Sequence, residues 1–158
     1  MSAFDKDVLL NAAVQGENDT KYPRVGVGEY MALIEDIDYR CMEGKGKDGA
    51  DLHFLDLTYD LSLDEAKKPA DWPDGLKFQI KDSIFLDITP DGKISTAPGT
   101  NINLGRIREA VGQNRGSDWS AAELRGAGPL IIRVEEEPNE KDISDPYKKV
   151  KRWAKPNA

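Results

Sequence analysis

Leu52-His53-Phe54-Leu55-Asp56-Leu57-Thr58-Tyr59-Asp60-Leu61-Ser62-Leu63 alternates apolar with polar along its length. Leu55, Leu57, Tyr59, Leu61 and Leu63 share one parity, and Phe54, Asp56, Thr58, Asp60 and Ser62 share the other. A two-residue period puts alternate side chains on opposite faces of a β-strand, so this stretch predicts a strand with one buried face. Upstream, Glu43–Gly49 holds three glycines and reads as a loop between two strands. Before it, Tyr30–Cys41 predicts a long strand. Tyr30, Ala32 and Ile34 lie on one face and Met31, Leu33, Ile37 and Tyr39 on the other, which leaves its inward face open.

Downstream, 64–75 is a polar loop containing Pro69 and Pro73. Leu76–Ile88 alternates again, with Leu76, Phe78, Ile80, Ile84, Leu86 and Ile88 inward and Lys77, Gln79, Lys81, Ser83, Phe85 and Asp87 outward. Pro90-Asp91-Gly92 predicts a turn, since Pro presets φ and Gly permits φ > 0. The period then changes. Leu104, Ile107 and Val111 recur at helical spacing before Gly112, which suits a helix stop. Ser120-Ala121-Ala122-Glu123 fits a capping box and predicts a short helix to Leu124, ended by Gly126. Pro129–Glu135 and Tyr147–Trp153 read as two further strands around an acidic loop. Leu130, Ile132 and Val134 are inward on the first; Tyr147, Lys149, Lys151 and Trp153 share a face on the second.

Five strands with a helix between the third and fourth is the order of the OB-fold, a five-stranded Greek-key barrel. A β-sandwich with an inserted helix gives the same string. The expectation is a mainly β, OB-like barrel over residues 25–158. Residues 1–24 form an N-terminal arm, with Phe4, Val8 and Ala12 at the spacing of a short helix.

The length, 158 residues, suits one domain, and 39% hydrophobic composition suits one core. Every apolar run is far shorter than a membrane span, and acidic Asp5 and Asp7 do not suit a secretory signal. The expectation is a soluble cytoplasmic protein with no membrane partner. A single Cys, Cys41, allows neither an internal disulfide nor a multi-thiolate metal site. The net charge of −7 is uneven. Residues 1–99 carry 11 basic against 20 acidic side chains, residues 100–158 carry 11 against 9, and 141–158 carry six against two. Local potential matters more for docking than the sum.

Motifs for chemistry are weak. The one Cys–His pair available, Cys41 and His53, has no surrounding nucleophile signature, and His53 shares the parity of Leu55 and Leu57, as a half-buried strand residue would. Gly44–Gly49 lacks the Gly-Lys-Ser/Thr ending of a phosphate loop. Asp87–Gly92 does not continue to the twelfth-position Glu of a calcium loop. Glu43-Gly44-Lys45 and Glu65-Ala66-Lys67 match a nuclease tripeptide, but both fall in loops of a highly charged chain. The expectation is no catalysis, no cofactor and no metal.

The basic and aromatic residues form the one coherent chemical set. Single-stranded nucleic acid is held by cations along its phosphates and rings stacked on its bases. Outward parity offers Phe54 on one strand and Lys77, Lys81 and Phe85 on the next, with Arg40, Lys45 and Lys47 around the first loop. The last strand adds Tyr147, Lys149, Lys151 and Trp153. In an OB-fold these elements border one groove. The opposing reading is a protein-interaction or virion component that binds a partner through its acidic surface. Exposed strand lysines also protect against edge pairing.

Four stretches carry a resemblance: Phe4-Asp5-Lys6-Asp7, Gly28-Glu29-Tyr30, the segment from Asn103 to Gly112 (NLGRIREAVG), and Glu123-Leu124-Arg125-Gly126. With them the chain resembles a family of small bacteriophage-encoded proteins similar to OB-fold single-stranded-DNA-binding proteins of phage replication and recombination modules. The resemblance implies binding of single-stranded DNA with little sequence preference, no chemistry, self-association as a homo-oligomer, and contact with replication or recombination proteins. Arg106 and Arg108, in the best-matching motif, would then reach phosphate. One departure stands out. Many such proteins end in an acidic recruiting tail, whereas the last residues here include Lys151, Arg152 and Lys155; either recruitment uses another surface, such as the acidic loop Glu135–Asp145, or this protein does not recruit.

Overall fold

The computed structural model describes residues 5–156. The strands are β1 (Gly28–Met42), β2 (Leu52–Asp60), β3 (Gln79–Leu86), β4 (Leu130–Glu137) and β5 (Tyr147–Ala154). Helix α1 is Lys6–Asn11 and helix α2 is Ile102–Ala110, between β3 and β4. The five strands are antiparallel to their neighbours in one sheet of order β3-β2-β1-β4-β5. The protein is therefore mainly β, with the strand order and helix position of an OB-like barrel.

β1 is long because it serves both halves of the sheet. Gly28–Ala32 pairs with β4, and Leu33–Met42 pairs with β2. The register skips Glu35, so a bulge reverses the parity there. Tyr30, Ala32 and Ile34 are buried before it and Ile37 after it, which explains why neither parity alone marked the inward face. Gly128 packs against this corner at φ +127°; a Cβ there would come within 3.1 Å of both the Ala32 carbonyl oxygen and Leu33 Cδ2.

β2 buries Leu55, Leu57 and Tyr59, and Leu61 follows them inward just past the strand end. The chain then turns into a 3₁₀ segment, Ser62–Lys67, so Leu63 is exposed. β3 starts at Gln79, later than the alternation suggests, and Leu76 is exposed. The intervening loop is not wholly polar in its packing. Trp72 is buried, donates Nε1–H to the Leu76 carbonyl, and meets Phe78 edge-on, which in turn meets Tyr30.

The two ends of the strand order meet through a side chain. Asp82 of β3 accepts the Val150 N–H of β5 at 2.7 Å and pairs with Lys149 at 3.1 Å. α2 lies against β5 and β3, with Leu104, Ile107 and Ala110 buried under it and Gly112 at φ +73° behind it. The second short helix is one 3₁₀ turn, Ala121–Leu124, held at its start by the Ser120 N–H donating to Glu123.

In the arm, α1 is exposed throughout, and Phe4 lies outside the described residues. The end of the arm docks on the barrel. Val25 is buried, Arg24 pairs with Asp145 at 3.3 Å, and the Arg24 guanidinium lies 5.3 Å from the Tyr147 ring centre. Among the described residues no helix is long and apolar enough to cross a membrane.

Candidate nucleic-acid interface

The outward face of β1, β2 and β3 carries a row of three residues held in register. Arg40 pairs with Phe54, and Phe54 with Phe85. The two rings lie 4.8 Å apart at 39°, and the Arg40 guanidinium sits 4.2 Å over the Phe54 ring. Phe85 is 67% exposed, and Phe54 is half-buried between its neighbours. An exposed aromatic on a strand leaves apolar area in water, an unfavourable arrangement that a stacking partner would relieve. Met42 and Leu52, the next outward pair, extend the apolar row toward the β1–β2 loop, where Lys45 and Lys47 are exposed.

Arg40 is fixed from below. Its Nε and Nη2 donate to the two oxygens of Asp56 at 3.0 and 3.1 Å, and Nη2 also donates to Ser83 Oγ at 3.3 Å. Ser83 Oγ–H donates to Asp56 in turn. The Arg40 hydrogen bonds, helped by Ser83, hold the Asp56 carboxyl below the usual carboxylate range. The same contact raises the Arg40 guanidinium. This bidentate pair holds the guanidinium over Phe54.

Charge divides the face. Asp36 and Asp38 line the β1 side, with Asp36 paired to Arg125 at 2.9 Å. The outward residues of β3 are Gln79, Lys81, Ser83 and Phe85, with no carboxylate among them. On β2, Asp56 and Asp60 stand opposite Ser83 and Gln79, so Lys81, opposite Thr58, is the point on this face of β3 that offers a cation to an anion. From Gln79 to Phe85 is six steps of about 3.3 Å, roughly 20 Å of path.

β5 flanks that path. A cavity of about 240 Å³ between β3 and β5 is lined by Ser83, Phe85, Asn103, Lys149 and Lys151, with Asp82 and Glu137 on its walls. Lys149 is held by Asp82 and Lys151 by Glu137. Trp153 does not share a face with the other three β5 residues. The β4–β5 register skips Lys151, and the bulge turns Trp153 toward the core, where its Nε1–H donates to Tyr59 Oη at 2.8 Å. Burial pushes the Tyr59 phenol well above its ordinary pKa.

The remaining candidates lie apart from the row. Lys77 precedes β3 and pairs with Glu35 at 2.8 Å. Tyr147 faces Arg24 at the docked arm. Arg106 is exposed on α2. Arg108 turns inward from α2, with its guanidinium 4.0 Å over the Trp119 ring and Nη2 donating to the Gln113 and Arg115 carbonyls. Burial, then the neighbouring Arg115, lowers its pKa. Among the described residues Lys45, Lys47, Lys81, Arg106 and Arg108 make no ion pair.

Three residues escaped sequence reasoning: Asp82, Ser83 as a positioning group, and the arm residue Arg24. Asp82 alone had a signal, a carboxylate at inward parity between Ile80 and Ile84. Cys41 stands opposite His53 in register, and His53 Nδ1 bonds Tyr39 Oη at 2.6 Å. Among the described residues no group of three or more His, Cys, Asp or Glu is placed to hold a metal ion. In comparison with known proteins, the chain matches no family model and no curated protein.

Proposed function

We propose that the protein binds single-stranded DNA, without catalysis and with little sequence preference, on the outward face of β2 and β3. The observation that carries this reading is the Arg40–Phe54–Phe85 row: two touching rings, one largely exposed, beneath a guanidinium fixed in place. Rings in that setting stack on bases of any sequence, and Lys81 on the outward face of β3 takes phosphate. The resemblance described above adds a setting, the replication or recombination module of a phage in the cytoplasm of its bacterial host. Partner replication proteins and self-association belong to the same proposal.

Fluorescence anisotropy of labelled oligo-dT, with duplex DNA as control, tests it. Single strands are expected to bind more tightly than duplex. The Phe54→Ala and Phe85→Ala double variant is expected to lose at least ~5-fold in affinity, the lower end for one stacked base, with an unchanged circular dichroism spectrum. No binding of either DNA at low salt overturns the reading. A second reading, docking of a protein partner, is favoured by one observation: Asp36 and Asp38 share the outward face of β1 with the exposed, apolar Met42, with Arg40 between them. Retained oligo-dT binding in the double variant would move the aromatic row to that role.

A further inference from the structure

A recess of about 390 Å³ opens where the docked arm, the β2–β3 loop and the start of β3 meet. Its wall carries four cations, Arg24, Lys77, Lys81 and Lys148, and no carboxylate. In a chain with 29 acidic against 22 basic side chains, four cations on one wall run against the average, and Lys81 is the one of them that makes no ion pair among the described residues. The floor is apolar, formed by the buried Val25, Trp72 and Ile80. Two apolar side chains at the rim are left in water: Tyr22, 79% exposed, and Leu76, 45% exposed. Gln79 supplies an amide on the same wall.

A cationic wall over an apolar floor with an exposed ring matches a group that is aromatic at one end and anionic at the other. The volume lies in the range of small-molecule sites, on the order of 300–1,000 Å³. We propose that this recess seats one nucleotide unit, its base against Tyr22 and Leu76 and its phosphate at Lys81. The reading rests on the strand-binding proposal, because Lys81, Ser83 and Phe85 run from this recess to the aromatic row on one face of β3. The recess is then the far end of the strand's path. Lys81 makes no ion pair among the described residues, so it meets phosphate without giving up a partner. Arg24, Lys77 and Lys148 pair with Asp145, Glu35 and Glu136; the exposed Lys77–Glu35 pair holds weakly, so Lys77 can be shared with a phosphate, whereas Asp145 and Lys148 are largely buried in their pairs.

The test uses oligo-dT carrying a single 5-iodouracil at successive positions, photocrosslinked to the full-length protein and mapped by mass spectrometry. A crosslink at Tyr22 or Trp72 from positions at one end, and at Phe54 or Phe85 from positions further in, is the expected pattern. Tyr22→Ala, at a side chain too exposed to matter for folding, is expected to weaken long oligo-dT at least ~5-fold while leaving the shortest oligomers unaffected. Tight binding with crosslinks confined to Phe54 and Phe85, and no effect of Tyr22→Ala, overturns the recess and leaves the strand reading intact. If oligo-dT does not bind, titration with dTMP decides. Tyr22-dependent binding keeps the recess as a free-nucleotide site and removes the strand reading, whereas no binding removes both.

Discussion

Arg40 is held by an anion and, on the proposed function, must also meet one. Asp56 occupies the Nε–Nη2 edge of its guanidinium and so competes with phosphate for it. Asp56→Asn removes the competing charge. The expected result is tighter oligo-dT binding by up to about fivefold, the equivalent of the ~1 kcal/mol ceiling for an exposed pair, read by anisotropy. Weaker binding would mean that Asp56 serves mainly to aim Arg40 across Phe54. The pair also has a pH signature. Its folded-state carboxyl titrates below the free value of about 3.9, so ionised Asp56 stabilises the fold above that pH. That contribution fades as pH falls through the depressed value. Carboxyl-carbon NMR should place the Asp56 midpoint below that of free Asp.

At the scale of elements, the seam between β3 and β5 is the point of interest. A ladder of backbone bonds is replaced there by Asp82, whose side chain is 7% exposed and takes both the Val150 N–H and Lys149. A buried N–H deprived of its acceptor costs about 1–3 kcal/mol. Asp82→Ala should lose that amount in urea unfolding. Asp82→Asn keeps an oxygen for the N–H and should fall between the variant and the native chain. Equal stability of all three would show that the seam is held by α2 and the core beneath it. The sequence reading placed all five strands, and the hydrophobic alternation named most of the core correctly. It did not find the bulges at Glu35 and Lys151, because an extra residue in a strand has no residue type of its own. The face of Trp153 went with the second bulge, and the inward face of β1 waited on the first.

For the molecule as a whole, the balance of charge sets how DNA would bind. Most cations near the path are tied to carboxylates. Lys45, Lys47 and Lys81 are free of ion pairs among the described residues, and Arg40 is the fourth available charge. Four phosphate contacts on a single strand predict a log K against log salt slope of roughly −3. Lys81→Gln should bring it nearer zero by about 0.7. A slope near zero with binding retained would assign the affinity to stacking alone.

The sequence by itself determined the succession of strands along the chain, the helix that interrupts it, the turn glycines and the inward faces of β2, β3 and β4. Those features rest on side-chain period and backbone allowance, which are local properties. It also named the members of the aromatic row, because outward parity marked Phe54 and Phe85 separately. Only the tertiary structure decided that they touch, that Arg40 lies over them, and that Asp56 restrains Arg40. It alone turned Arg108 and Trp153 inward, closed the barrel through Asp82, and brought Tyr22 and Arg24 of the arm to the start of β3. Contacts of that kind depend on register and closure between segments far apart in the chain. Registers are set by the whole packed sheet, so no single stretch of sequence records them.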